Sequence, residues 1–158
     1  DEAKKIMEKA KGTGCEIILP EDCVVVSDIM VNAEYEVVDA KTIPEEKMAI
    51  DIGPKSIERV SELMQKCKTL VWNGPMGVFE IKPFDAGTNA LAHVAAELTN
   101  NGSLTSVAGG GDTVAAIENA EVKSELSYIS AAGGAFLEWL EGKSLPGVAA
   151  LDPARKAA

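Results

Sequence analysis

Arginine is almost missing from this chain of 158 residues: Arg59 and Arg155 are the only two. The clustered guanidinium forks that usually grip an anionic substrate cannot be built from this sequence alone. Aromatic residues make up only 4%, histidine occurs once, at His93, and the three cysteines Cys15, Cys23 and Cys67 contain no C-x-x-C pair. An odd number of thiols with one histidine for company points away from a disulfide framework or a zinc site, and fits a reduced, cytoplasmic compartment. No apolar run is long enough to span a bilayer, and the charges scattered through residues 1–11 leave no apolar core for a signal peptide. Positive charge is in deficit overall, with 15 Lys and Arg against 25 Asp and Glu and a net charge of -10. Neither nucleic acid nor an anionic membrane is an expected partner, because both need a basic surface.

What is present is a body of apolar residues, 46% of the chain, and 14 glycines. A single globular domain of this length buries roughly two-thirds of its unfolded surface, so no staple is required. Residues 1–11 place Ala3, Ile6, Met7 and Ala10 on one helical face, and Gly12 and Gly14 end it. No cap residue precedes that helix, so the chain is expected to start inside a longer one. Residues 16–19 read as a short strand closed by Pro20, and residues 24–26 and 35–38 as an accessory β-ribbon. From Met48 onward strands alternate with helices. The strands are 48–52, 70–72, 104–108 and 128–130; the helices are 56–67 behind Pro54, 84–98 stopped at Asn101-Gly102, 114–120 and 135–140. Such alternation implies a parallel sheet with helices packed on its faces. Trp72 and Trp139 read as core aromatics and His93 as structural. Residues 34–39 read as a solvated strand, and Lys4 and Lys5 as part of an exposed helical face.

In an open parallel sheet the ligand crevice lies outside the carboxyl ends of the strands, and three successive strand ends here carry glycine-rich turns. Two of them, Gly109-Gly110-Gly111 and Gly133-Gly134, lead into helices. Without a Cβ the backbone N–H groups can close on a phosphate, and the helix adds the positive end of its dipole. Tight turns alone would also explain one such glycine cluster; two facing one edge favour anion binding. The Lys of a Walker loop is absent and no G-x-G-x-x-G follows a strand, which disfavours P-loop NTPases and dinucleotide dehydrogenases. Asp112 suits a Mg²⁺ ligand beside a nucleotide phosphate, and equally an N-cap. Glu80 is placed to accept ribose hydroxyls or is an ordinary exposed loop carboxylate. Ile50, Pro75 and Val78 offer apolar surface for a base, although singly each is more often a core residue.

The segment 70–80, Leu-Val-Trp-Asn-Gly-Pro-Met-Gly-Val-Phe-Glu, closely resembles the nucleotide-binding loop of the phosphoglycerate kinase family. Residues 48–56 (MAIDIGPKS), 108–113 (AGGGDT) and 128–148 (YISAAGGAFLEWLEGKSLPGV) resemble further segments of that family's C-terminal domain, in the same order and at similar spacing, so the likeness covers essentially the whole chain. The resemblance implies an α/β fold: a Rossmann-like three-layer sandwich with a mainly parallel sheet, helices on both faces and a small accessory β-ribbon. It implies that residues 1–158 are a C-terminal nucleotide-binding domain, incomplete at its N-terminal side and lacking the substrate domain.

The implied activity is reversible phosphoryl transfer between 1,3-bisphosphoglycerate and Mg-ADP, giving 3-phosphoglycerate and Mg-ATP. The complete enzyme is expected to be a cytoplasmic monomer; this chain alone is expected to bind nucleotide weakly and to catalyse nothing. By the same resemblance Ile50, with Met48 and Ala49, would border the adenine opposite Pro75 and Val78, Glu80 would bind the ribose, and Asn73 would approach the phosphates. Gly110, Gly111 and Thr113 would bind phosphate, Asp112 would hold Mg²⁺, and Gly133 and Gly134 would face the phosphoryl group in transit. Where the family usually reads S-T-G-G-G-A, this chain has Ser130-Ala131-Ala132-Gly133-Gly134-Ala135, which removes a hydroxyl and a glycine. A non-catalytic interaction module on the same scaffold is the alternative expectation.

Overall fold

The computed structural model describes residues 1–130 and 133–151. Helix α1 (Glu2–Thr13) is ended by Gly14, whose left-handed φ of 71° lets its N–H reach the Ala10 carbonyl. Of its apolar face only Ala10 is buried and Met7 half-buried. Segment 16–19, expected as a strand, is not one: among the described residues no strand pairs with it, and a strand exists only through such a ladder.

Three strands follow: β1 (Asp22–Val26), β2 (Glu36–Asp39) and β3 (Met48–Ile52). They form an antiparallel sheet in the order β2-β1-β3, so the expected ribbon of β1 and β2 gains a third member. Strand β3 was expected to open the parallel sheet and does not. It runs antiparallel to β1, with Val26 opposite Met48, Cys23 opposite Ile52 and a bulge between Val24 and Val25. Alternation along a chain fixes the order of elements but not the partner of a strand. Here the partner is set by burial: Ile50 joins Val26 and Phe84 in a compact apolar cluster, flanked by Val24, Ala33, Val78 and Ile81.

The remaining elements are α2 (Pro54–Lys66), β4 (Thr69–Trp72), α3 (Ala86–Asn100), β5 (Thr105–Gly109), α4 (Gly111–Asn119), β6 (Tyr128–Ser130), α5 (Gly133–Leu140) and α6 (Pro146–Leu151). Pro54 stands first in α2, where its missing N–H costs nothing. Strands β4, β5 and β6 form a parallel sheet in that order, flanked by helices, with α2 and α4 packed on α3. Small residues on α3 (Ala92, Ala95 and Ala96, all buried) allow this close approach. The main core joins Met64, Trp72, Leu91, Ala108, Ile117, Val122 and Leu126. Trp72 is thus a core aromatic as expected, whereas Trp139 is 61% exposed: α5 directs it outward. His93 is exposed on α3, its Nδ1 lying 2.7 Å from the Asn89 carbonyl oxygen.

Register decides where the loops meet. Trp72 lies opposite Ala108, and Gly109 opposite Ser130, so the carboxyl ends of β4, β5 and β6 are level. The chain segments leaving those ends begin at Asn73, Gly110 and residue 131; Ala131 and Ala132, where the sequence departs from the family pattern, lie outside the described residues.

Candidate nucleotide site

Helices α4 and α5 begin at Gly111 and Gly133, earlier than the periodicity indicated, so the glycines form the helix starts themselves. Gly110 is the N-cap of α4 with φ 101°, a conformation that favours glycine. The first helical bond of α4 runs from the Val114 N–H to the Gly110 carbonyl at 2.9 Å. The N–H groups of Gly111, Asp112 and Thr113 precede that bond, as orphan donors at a helix start do. Gly133 lies hard against this cap: a Cβ there would fall 2.4 Å from both the Cα and the N of Gly110. Two helix N-termini therefore converge on one backbone contact. At Gly111 and Gly134 a Cβ would meet nothing within 4 Å, so the space before them is open.

Asp112 is exposed in the first turn of α4 and makes no cap bond, which removes the N-cap explanation for it. Among the described residues no cluster of three or more His, Cys, Asp or Glu could hold a metal by itself. The Asp112 carboxylate alone offers Mg²⁺ an oxygen ligand, while the neighbouring helix N–H groups suit phosphate oxygens; one carboxylate fits a metal that commonly takes only one or two from the protein.

The loop from Asn73 to Glu80 connects this cluster with β3, and five anchors hold it. The Gly74 N–H donates to the buried Thr113 Oγ1 at 2.7 Å, and the Met76 N–H to Thr88 Oγ1 at 2.9 Å. Gly77 packs on the Asp51 side chain, and the Val78 N–H donates to the Ile50 carbonyl at 2.9 Å. The Trp72 indole N–H closes the start of the loop on the Gly74 carbonyl at 2.7 Å. Asn73 thus stands beside the α4 cap, its Oδ1 3.1 Å from where a Cβ on Gly110 would be. Thr113, expected at phosphate, uses its hydroxyl to position the loop and keeps its backbone N–H at the helix start.

Ile50 and Val78 are joined directly, but the Ile50 side chain is 5% exposed and belongs to the core around Phe84. Pro75 is half-buried beside Ile52, Val60 and Met76, and Glu80 is exposed at the end of the loop. The structure therefore groups Asn73, Gly110, Gly111, Asp112, Thr113 and Gly133 in one cluster, and Ile50 with Val78 in another, with Glu80 two residues beyond. Arg59 is engaged with Glu21 at 3.0 Å and Glu16 at 3.7 Å.

A model of the phosphoglycerate kinase family matches residues 1–143. The chain belongs to the phosphoglycerate kinase family. Phosphoglycerate kinase of Rhodospirillum centenum is 56% identical over 151 residues, covering 96% of this chain and 38% of that protein. The Agrobacterium fabrum phosphoglycerate kinase is 56% identical over 153 residues, again 38% of its length. Among solved structures, phosphoglycerate kinase from Coxiella burnetii superposes with a TM-score of 0.86 at 39% identity, over 94% of this chain and 37% of that one. The Pyrococcus horikoshii enzyme does so with 0.75 at 29% identity, over 94% of this chain and 35% of its own. The chain thus spans little more than a third of the length of these phosphoglycerate kinases.

Two buried carboxylates near the phosphoglycerate kinase loop were not singled out by sequence reasoning. Asp22, on β1, accepts from the Ser56 N–H at 2.8 Å, the Lys55 N–H at 3.1 Å and the Ser56 hydroxyl at 2.7 Å, and so caps α2 from another element. Burial pushes its carboxyl up, but these bonds outweigh burial and hold it below the ordinary carboxylate range. Asp51, on β3, accepts from the Gly87 N–H at 2.8 Å at the start of α3 and from the Ile52 N–H at 2.8 Å. There burial prevails over the bonds and raises the carboxyl, and nearby Asp85 pushes in the same direction. For Asp51 the signal was an acidic residue inside an apolar strand two residues before Gly53, since a buried carboxylate demands partners; Asp22, at the start of its strand, offered no such signal.

Proposed function

We propose that this chain is the Mg-nucleotide-binding part of a cytoplasmic phosphoglycerate kinase of glycolysis and gluconeogenesis. The observation that carries this reading is the contact of Gly133 with the Gly110 cap, which brings two helix N-termini to one point at the carboxyl edge of the parallel sheet. Family membership supports it. In the reaction an oxygen of the ADP β-phosphate attacks the acyl phosphate of 1,3-bisphosphoglycerate, the bond from phosphorus to the acyl oxygen breaks, and 3-phosphoglycerate leaves as a carboxylate with ATP formed.

Phosphoryl transfer needs positioning and charge neutralisation more than covalent participation. The N–H groups at the starts of α4 and α5 would hold phosphate oxygens, with Gly110, Gly111, Gly133 and Gly134 admitting them closely. Asp112 would hold Mg²⁺, which supplies neutralisation of phosphate charge. Asn73 would reach the phosphates, Pro75 and Val78 would border the base with Ile50 supporting Val78 from the core through its carbonyl, and Glu80 would take the ribose hydroxyls. With Arg59 tied to two glutamates, a cationic clamp and the phosphoglycerate site would come from the remaining part of the enzyme, which would close on this one to exclude water.

The test is a steady-state assay of ATP formation by the full-length enzyme and its Asp112→Ala variant. The expected loss is at least a hundredfold in kcat/KM, the scale typical of removing one electrostatic contributor to such a transition state, about 10²–10³. Undiminished activity in the variant would contradict the assignment, and ATP formation by the 158-residue chain alone would contradict its incompleteness.

A further inference from the structure

We infer that Asp51 is a positioning residue for the nucleotide loop: its buried carboxylate locks residues 74–80 between β3 and the start of α3, and so sets the affinity for nucleotide. This rests on the nucleotide reading above and adds a residue that touches neither nucleotide nor metal. The carboxylate is almost wholly buried, and both its oxygens are used. Oδ2 accepts the Gly87 N–H in the first turn of α3, a helix whose own N-cap residue, Asp85, makes no side-chain cap bond. Oδ1 accepts the Ile52 N–H and faces Gly77, where a Cβ would lie 2.5 Å away. At Gly87 a Cβ would lie 2.4 Å from the same oxygen. Neither glycine has a positive φ, so each is required for space and not for its backbone conformation. The next residue along the loop, Val78, donates its N–H to Ile50, the neighbour of Asp51. Asp51 thus ties the end of β3 to the start of α3 by two hydrogen bonds and presents the surface on which the middle of the loop, at Gly77, is seated.

An amide cannot replace this group. Asn at the position would keep one acceptor and turn an NH₂ toward the second N–H, so either the start of α3 at Gly87 or the end of β3 at Ile52 must shift, and the surface under Gly77 shifts with it. The comparison with Asp22 separates positioning from mere stability. Asp22 is also a buried carboxylate capping a helix from a distant strand, but its contacts are with Gly53, Lys55 and Ser56 and not with the loop.

The experiment uses full-length enzyme carrying Asp51→Asn, Gly77→Ala or Asp22→Asn, with KM measured for Mg-ADP and for 1,3-bisphosphoglycerate, together with Tm. Asp51→Asn is expected to raise the KM for Mg-ADP roughly ten- to a hundredfold, the scale of an ångström-sized misplacement, leaving the other KM unchanged. Gly77→Ala, which presses a methyl group on the same oxygen, should do likewise and carries the test if Asp51→Asn does not fold. Asp22→Asn should lower Tm and leave both KM values in place. An unchanged nucleotide KM in Asp51→Asn or Gly77→Ala, parallel rises in both KM values, or an equal rise in Asp22→Asn would each overturn the proposal. Failure of the nucleotide reading itself would be seen separately, as the absence of Mg-ADP turnover in the unmodified enzyme.

Discussion

Asp22 illustrates how much a single side chain carries in this molecule. Its carboxylate replaces the missing side-chain cap of α2, and the Ser56 hydroxyl, which gives its one proton to that carboxylate, accepts the N–H of Glu21 at 2.9 Å and of Asp22 at 3.0 Å. Asp22→Ala is expected to cost about 2 kcal/mol, combining a lost cap with donors left unpaired. The sign of its pH dependence follows from the lowered carboxyl. The stabilisation is fully present above the ordinary carboxylate value of 3.8 and is lost as pH falls through the lower folded value. Urea unfolding across the acid range should therefore show a large difference between the unmodified chain and Asp22→Ala near neutrality, shrinking below pH 3.8. A difference that does not vary with pH would contradict this. Gly133 and Gly134 make a second contrast at this scale. Gly133→Ala forces a methyl group onto the Gly110 backbone and should cost about 1–3 kcal/mol of stability, whereas Gly134→Ala faces open space and should leave stability nearly unchanged while its methyl group, standing where the phosphates are proposed to sit, weakens nucleotide binding. Thermal melts and Mg-ADP titrations of the two variants check both statements.

At the level of elements, the site is assembled by strand register and by loop anchors. The level ends of β4, β5 and β6 bring three turns together, and Thr113 on α4 then holds the loop that leaves β4. Thr113→Val keeps the shape but removes the acceptor for the Gly74 N–H, with an expected cost of about 1–2 kcal/mol. Thr113→Ser should restore most of the stability; equal melting of the Val variant and the unmodified chain would contradict the anchor. Much of this was legible beforehand. The glycines at Gly110 and Gly133 follow β-rich segments and precede helical ones, so their place at helix starts on one sheet edge could be read from order alone. The partner of β3 could not be, because Met48, Ile50 and Ile52 suit a strand in either sheet and only the packing of Ile50 on Val26 and Phe84 decides between them. Residues 16–19 have the composition of a strand but no ladder to join. Asp22 and Asp51 escaped notice because their partners lie 34 and 36 residues away, beyond any local pattern. Trp139 misled because an aromatic residue in an apolar helix is ordinarily buried.

Over the whole molecule, the net charge is -10 and the one arginine among the described residues, Arg59, is engaged by two glutamates, which fits the proposed half-site. On the proposed function, the glycine cluster would receive the phosphates of a nucleotide and the rest of the longer enzyme would supply the clamp for the second substrate. That division agrees with a chain covering 38% of its curated relatives. It makes nucleotide binding, and not turnover, the property that the 158 residues should possess by themselves. The direct measurement is calorimetric titration of ADP into the folded chain, with and without Mg²⁺, alongside Asp112→Ala. The account predicts saturable one-to-one binding that depends on Mg²⁺ and weakens at least tenfold in the variant, a difference of about 1.4 kcal/mol. Absence of saturation in a sample whose circular dichroism shows it folded, or equal affinity for the unmodified chain and Asp112→Ala, would contradict it.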